Sequence, residues 1–321
     1  MTGLLEVEGV SVSFATPGGP LPAVDDASLS LGAGETLGLV GESGCGKTTL
    51  ARSIAGLQRP GSGHIRLDGN ELAPRRSRAE HRAVQIVFQD PFSSLNPRLS
   101  VRRVLTELLR VHGLARGEAA EARCRELMAL VGLPAGALDG YPGAFSGGQR
   151  QRIAIARALA VEPRVLIADE PTSALDVSVQ ATILALFEEL RSRLGIGVLM
   201  ISHNLAAVRQ LCDRVAVMYL GRIIEVGMRA EIFGDPRHPY TQALLTAAPR
   251  LRSSLEDERP RLRGEPPSAT NRPSGCAFHP RCPRAEAICS AERPDLLPVA
   301  GSGAVAACHF RDTTRLLEQT A

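Results

Sequence analysis

Short apolar runs alternate with stretches of helical spacing along most of this chain. Leu4 to Val12 and Ser28 to Leu31 read as β segments, and Thr36 to Val40 is a continuous apolar run too short for a helix. It leads straight into a glycine-rich segment, after which Thr48 to Gly56 takes helical spacing. His64 to Leu67 and Val84 to Phe88 predict two more short strands, separated by the polar stretch Arg75 to Arg82. Between Val101 and Val131 apolar residues recur at Val104, Leu105, Leu108, Leu109 and Val111, then at Leu127, Leu130 and Val131, which predicts a helical insert. Val165 to Ala168 and Gly197 to Ser202 are further apolar strands, the first ending in Asp169-Glu170 and the second just before His203. Strands of this kind alternating with helices predict an α/β domain whose strand ends gather polar side chains around one crevice. After Pro249 the composition shifts to Arg, Pro, Ser and Glu, so residues 250 to 275 read as a linker. No tandem repeat or duplicated half is visible, and one such α/β unit is expected.

The glycine-rich segment after the Thr36 strand changes the picture from fold to chemistry. The chain has 36 arginines and a single lysine, Lys47, inside Gly41-Glu42-Ser43-Gly44-Cys45-Gly46-Lys47-Thr48. This is the phosphate-loop pattern of Gly, four residues, Gly, Lys and then Ser or Thr, in the strand–loop–helix context the pattern requires. Backbone N–H groups and the positive end of the following helix surround a nucleotide's phosphates there, while the lysine reaches the β and γ phosphates. A compact ammonium on a flexible stem fits where a planar guanidinium would collide. With Gly near 7% of average usage, chance would place the pattern in roughly one random chain of this length in a hundred.

Composition sets outer limits. A chain of 321 residues with 44% hydrophobic residues can bury a large core and carry an appendage. No run approaches 18 apolar residues, and Met1 to Val10 lacks a basic then apolar export signal, so a cytosolic chain is expected unless partners hold it on a membrane. A net charge of +3 without basic blocks gives no indication of nucleic acid.

Other segments carry both bland and functional readings. Asp169-Glu170, closing an apolar strand, suits one carboxylate holding Mg²⁺ and the next orienting a water, though any buried strand can end in acids. Ser146-Gly147-Gly148-Gln149 opens the helical stretch Arg150 to Ala160; Ser is a common N-cap, and the glycines let backbone amides approach an anion. Gln89 and His203 follow strands, where a solvated turn residue or a structural histidine is the plain alternative.

In this order the segments resemble the ATP-binding subunits of ABC transporters across residues 4 to about 248. Lys47 matches the first phosphate motif, Gln89 the Q-loop, Phe145-Ser146-Gly147-Gly148-Gln149 the signature, Asp169-Glu170 the second acidic motif, Ser173-Ala174-Leu175-Asp176 the D-loop, and Ser202-His203 the switch histidine. The run Val87-Phe88-Gln89-Asp90-Pro91-Phe92-Ser93-Ser94-Leu95-Asn96-Pro97-Arg98, with His238-Pro239-Tyr240-Thr241, is similar to the oligopeptide, dipeptide and nickel importer branch, closer to the second of its two paralogous ATPases.

The resemblance implies a P-loop ATPase with a RecA-like core, an antiparallel β subdomain and a helical subdomain at about 91–145, all within residues 1–249, followed by a cysteine-rich extension at 276–321. Phe14 would stack on adenine; its plain alternative is an apolar residue near a strand end. Gly41, Ser43, Gly44, Cys45, Gly46, Lys47, Thr48 and Thr49 would hold the phosphates of ATP. Thr48, Gln89 and Asp169 would bind Mg²⁺, Glu170 would position water, and His203 would contact the γ-phosphate. Ser146, Gly147, Gly148 and Gln149 would bind the nucleotide of an opposite subunit, with Asp176 in the D-loop. The implied partners are a second, paralogous ATPase, two membrane permeases and, indirectly, an extracytoplasmic substrate-binding protein, placing the chain on the cytoplasmic face of the cell membrane. The implied activity is ATP hydrolysis driving uptake of peptides, with nickel or another small solute as the alternative cargo.

Four of the seven cysteines, Cys276, Cys282, Cys289 and Cys308, fall in the C-terminal segment, where clustering in a reducing compartment suggests metal ligation. They resemble the tail of the same importer branch, where four cysteines can hold a [4Fe-4S] cluster. Zinc stays open, since His279 and His309 flank the cysteines and a Cys₄ or Cys₃His zinc site has the same ligand count. Cys45, Cys124 and Cys212 read as non-metal positions. Two other readings have weaker support: a soluble ABC ATPase of DNA repair or translation usually carries two cassettes or a long coiled coil, and an iron–sulfur sensor without turnover would tend to lose Glu170 and His203.

Overall fold

The computed structural model describes residues 3–17, 19–90, 95–173, 175–247, 265, 267–268 and 270–312. Most of the expected linker, part of the stretch after Gln89 and the end of the expected extension lie outside those residues.

The N-terminal strands form an antiparallel sheet in the order β2-β1-β4-β5, from β1 (Leu5–Thr16), β2 (Gly19–Leu31), β4 (Ser62–Leu67) and β5 (Asn70–Glu71). Strict alternation would bury Leu5, Val7 and then Gly9, yet the buried residues are Leu5, Val7, Val10 and Val12. A register shift between Val7 and Val10, with Gly9 at φ 58°, inserts the extra residue that keeps both halves of β1 facing the core.

The larger sheet runs β11-β12-β10-β9-β3-β8-β7-β6. Its centre is parallel: β3 (Thr36–Val40) lies between β8 (Gly197–Ile201) and β9 (Arg214–Tyr219), and β7 (Val165–Asp169) joins β8 to β6 (Val84–Val87). Every residue of β3, β7 and β8 is buried, which is why these strands read as unbroken apolar runs. Helices Lys47–Ile54, Gly147–Leu159, Val177–Leu194 and Leu205–Leu211 connect them, as parallel pairing demands.

The helical insert is two helices, Val101–Val111 and Gly117–Leu130. The first is capped by Ser100, whose hydroxyl accepts from the Arg103 N–H at 3.4 Å, and buries Val101, Leu105 and Leu109 at four-residue spacing. The second buries Cys124, Leu127 and Met128 against the same core, so Cys124 packs as a small apolar residue. Full burial of a leucine such as Leu105 is worth about 1.5–3 kcal/mol, enough to anchor so short a helix.

The cysteine-rich extension is built into the main body. Its strand β12 (Val305–Ala306) pairs antiparallel with β10 (Arg222–Met228), and β11 (Leu297–Pro298) pairs with β12, so the extension supplies the edge of the large sheet. Phe278 is only 2% exposed and packs edge-on against Tyr219 and Tyr240, at centroid distances of 5.4 and 5.5 Å. A segment with few large apolar residues of its own thus borrows the core of the domain it follows.

Candidate active site

The parallel strands β3, β6, β7 and β8 deliver their C-terminal ends to one edge. Lys47 follows β3, Gln89 follows β6, Glu170 follows β7 and His203 follows β8. Such an edge is where doubly wound sheets bind ligands, because loops replace strands there and leave a crevice.

The phosphate loop turns sharply between β3 and the helix Lys47–Ile54. Gly46 has φ +108°, and a Cβ on it would lie 2.3 Å from the Ala23 carbonyl oxygen; a Cβ on Gly41 would lie 2.2 Å from that of Met218. Both glycines are therefore required by backbone approach as well as by conformation. Lys47 is only 5% exposed, and its Nζ donates to the carbonyls of Gly41 and Glu42, each at 2.9 Å. The ammonium is held inside the loop's curve, with Ser43, Gly44, Cys45 and Gly46 between its carbonyl partners and itself. Cys45 is buried, and burial pushes its thiol up, disfavouring the thiolate, against the opposing effect of the neighbouring Lys47 charge.

Thr48 and Thr49 lie in the first turn of the helix, and the Thr48 hydroxyl donates to Asp169 Oδ1 at 3.1 Å. Asp169 is only 3% exposed, and burial pushes its carboxyl up against the opposing effect of the Thr48 hydrogen bond, with the Glu170 charge adding to the rise. A buried oxygen pair of this kind, a hydroxyl and a carboxylate that pays for its burial, suits a hard divalent cation.

Glu170 sits at φ +48°, a left-handed conformation that is uncommon for a non-glycine residue. Its Oε2 accepts from Gln89 Nε2 at 2.9 Å and faces His203 Nδ1 at 3.2 Å. The structure therefore joins three sequence-predicted residues from three different strand ends on one carboxylate oxygen. Phe14 lies near the end of β1, opposite Leu21 and 38% exposed, an accessible ring outside the core.

The signature segment is assembled apart from this group. Ser146 caps the helix Gly147–Leu159 in a reciprocal box: its hydroxyl accepts from the Gln149 N–H at 3.3 Å, and its own N–H donates to Gln149 Oε1 at 2.9 Å. Gly147 and Gly148 have a packing reason that sequence alone does not reveal, since a Cβ on them would lie 3.2 Å from Leu175 and 2.5 Å from Val179. Asp176 is exposed and precedes the helix Val177–Leu194 without a capping hydrogen bond from its side chain.

One contact went unread in the sequence. The Glu42 N–H donates to the Tyr240 hydroxyl at 2.9 Å, so a residue noted only as a branch marker touches the phosphate loop. The His238-Pro239-Tyr240-Thr241 run was the available signal; His238 is fully buried and its Nδ1 accepts from the Tyr240 N–H at 3.0 Å.

Cys276, Cys282, Cys289 and Cys308 line one small cavity of about 10 Å³ together with His279 and His309. Among the described residues, however, no group of three or more His, Cys, Asp or Glu side chains is arranged to hold a metal ion, so the expected ligand set is not formed as placed. Burial pushes the thiols of Cys276 and Cys308 up and that of Cys282 up to about 11. Among the described residues no helix is long and apolar enough to cross a membrane.

Residues 24–173 match the family model described as ABC transporter, and residues 224–289 that described as oligopeptide/dipeptide transporter, C-terminal region. The oligopeptide transport ATP-binding protein AppF of Bacillus subtilis is 46% identical over 298 residues, 91% of this chain and 90% of that one. A Brucella ovis protein bearing the name of a peptide import ATP-binding protein is 45% identical over 301 residues, 93% of this chain and 95% of its own. Among solved structures, cbiO1 from Clostridium perfringens, part of the ABC transporter complex cbiONQ, superposes with a TM-score of 0.63 at 30% identity, covering 73% of this chain and 91% of that one. The ATP-binding cassette MJ0796, solved as a dimer bound to ADP and Pi, gives 0.62 at 27% identity, covering 70% and 98%. With its phosphate loop, its acidic pair and the residues converging on Glu170 all carried by this framework, the chain belongs to the ATP-hydrolysing subunits of ABC transporters, in the oligopeptide/dipeptide branch.

Proposed function

We propose that this chain powers the uptake of peptides across the cytoplasmic membrane as one half of a two-ATPase engine. Names of relatives supply the cargo class, and the observation that carries the mechanism is the meeting of Gln89, Glu170 and His203 on one carboxylate oxygen beside the Thr48–Asp169 pair. ATP lies with its triphosphate along the phosphate loop, residues 41–49, with Lys47 turning from the loop carbonyls to the β and γ phosphates and adenine against Phe14. Thr48, Gln89 and Asp169 would hold Mg²⁺, which would supply charge stabilisation for the phosphates. Glu170 orients the attacking water and His203 contacts the γ-phosphate, so His203 exchanges its contact with Glu170 for the nucleotide and Gln89 would exchange its own for Mg²⁺.

Ser146, Gly147, Gly148 and Gln149 serve the site of the opposing subunit, a paralogous ATPase, with Asp176 at the junction. Support comes from the Ser146 side chain, whose hydroxyl is engaged only by the Gln149 N–H among the described contacts, and from the dimeric assembly in which MJ0796 was solved. Closure on ATP and opening after hydrolysis then move two permease subunits, which receive peptide from an extracytoplasmic binding protein and hold this chain at the membrane's cytoplasmic face. The four C-terminal cysteines would be the ligands of a structural [4Fe-4S] cluster, with zinc as the competing metal; all four line one cavity, and their thiols would have to draw closer together to ligate either metal.

A site shared between subunits makes the isolated chain a poor ATPase. Turnover by the purified chain should rise by about tenfold or more when it is reconstituted with its partner ATPase and permeases, and equal turnover in both states would rule out the shared site.

A further inference from the structure

Arg281 lies in the cysteine-rich extension, beside Cys282, yet it reaches the phosphate loop. Its two terminal nitrogens donate to the two carboxylate oxygens of Glu42 at 3.0 and 3.1 Å across a sequence separation of 239 residues. The Arg281 side chain is 6% exposed and that of Glu42 20%, so the pair is largely shielded from water and salt. A planar fork against a planar carboxylate fixes orientation as well as distance. The guanidinium is itself held, lying 5.9 Å from the ring centroids of both Tyr219 and Phe278 and donating to the Tyr219 hydroxyl at 3.4 Å.

Glu42 is therefore gripped at three points. Its side chain is bound by Arg281, its N–H by the Tyr240 hydroxyl at 2.9 Å, and its carbonyl by Lys47 at 2.9 Å. The rings behind those grips form one cluster: Tyr219 and Tyr240 lie 4.6 Å apart and Phe278 packs against both. Glu42 stands between Gly41 and Ser43, in a loop whose glycines at 41, 44 and 46 make it costly to order. Holding such a loop in its binding shape beforehand raises affinity by removing that cost at the moment of binding. Charge acts in the same direction, because an unpaired Glu42 carboxylate beside a triphosphate would repel it.

We propose that Arg281 is a positioning residue for the phosphate loop, through which the cysteine-rich extension sets the ATP affinity of its own chain. This rests on the reading above that ATP binds along residues 41–49. It gives the extension a role at the nucleotide, distinct from any contact with partners, and it predicts that whatever disturbs the segment Cys276–Cys282 is felt at the phosphates.

The test is a set of titrations of the full chain with a fluorescent ATP analogue. Arg281→Met should weaken binding about tenfold, and Arg281→Lys, which keeps the charge without the fork, should fall between it and wild type. Glu42→Gln removes the repelling carboxylate, so it should cost less than Arg281→Met, and adding it to Arg281→Met should restore affinity toward the Glu42→Gln level. Loss of packing alone would not be rescued in this way. Arg293→Met is the control: Arg293 ties the same extension to Asp26 of β2 at 2.6 Å and has no described hydrogen bond or ion pair to residues 41–49, so its loss should leave affinity within about twofold. Wild-type affinity in Arg281→Met, additive losses in the double variant, or an equal loss in Arg293→Met would each overturn the proposal. Failure of the wild-type chain to bind the analogue would instead overturn the reading of the ATP site.

Discussion

Replacing Lys47 with arginine keeps the charge and removes the shape. In the structure the ammonium is 5% exposed and donates to two carbonyls at 2.9 Å, enclosed by a loop whose glycines already stand against the Met218 and Ala23 carbonyls. A hydrogen bond from a charged group contributes about 1.5–3 kcal/mol, and a bulkier head forced into a packed space costs about 1–3 kcal/mol. Not all of this falls on the bound state, so a net loss of about 1.4–2.8 kcal/mol in ATP binding is expected, which is about 10- to 100-fold in Kd. Lys47→Ala should weaken binding by a similar factor, since it removes the charge without adding bulk. The assay is a fluorescent ATP-analogue titration of wild type and both variants, with thermal unfolding run alongside to confirm that each is folded. If Lys47→Arg bound within about threefold of wild type while Lys47→Ala did not, charge alone would suffice and the argument from shape would be wrong.

Two further outcomes follow from the site and from the extension. Phe14→Ala should weaken ATP binding several-fold with little effect on stability, because the ring is 38% exposed and has a nucleotide face to lose but little core packing; unchanged affinity would remove Phe14 from the adenine site. Protein purified without oxygen should contain iron and acid-labile sulfide in equal amounts, and Cys282→Ser should lower both and expose the extension to protease, whereas stoichiometric zinc without sulfide would replace the cluster with a zinc site.

Much of the cassette was legible because its chemistry is local. Thr36–Val40 reads as a strand because both of its faces are covered, and the phosphate loop beside it announces itself by glycines that no other residue could replace. Glu170 and His203 are marked by their places at strand ends, but their meeting with Gln89 depends on the order β3-β8-β7-β6, which the sequence order does not reveal. The bulge at Gly9 was not anticipated, since alternation alone would have pointed Val10 outward. The extension was the least legible part. Its strands are two residues long, too short to show a period, and they form only because β10 offers an edge. The contact between Glu42 and Arg281 joins residues near opposite ends of the chain, and each looks like an ordinary solvated charge until the fold brings them together. The cysteines were recognisable as a group, and the structure adds that all four face one cavity without forming a ligand set as placed.

The central claim is that Glu170 orients the water that attacks ATP, and Glu170→Gln in the assembled transporter tests it most directly. Glutamine keeps the size of the side chain and an oxygen that can accept from Gln89, while removing the carboxylate charge, and general-base contributions of this kind are worth about 10²–10⁴ in rate. ATP hydrolysis should fall by about a hundredfold or more while the affinity for ATP stays within a few-fold of wild type. Hydrolysis that stayed within a few-fold of wild type, or a loss of nucleotide binding in its place, would contradict the account.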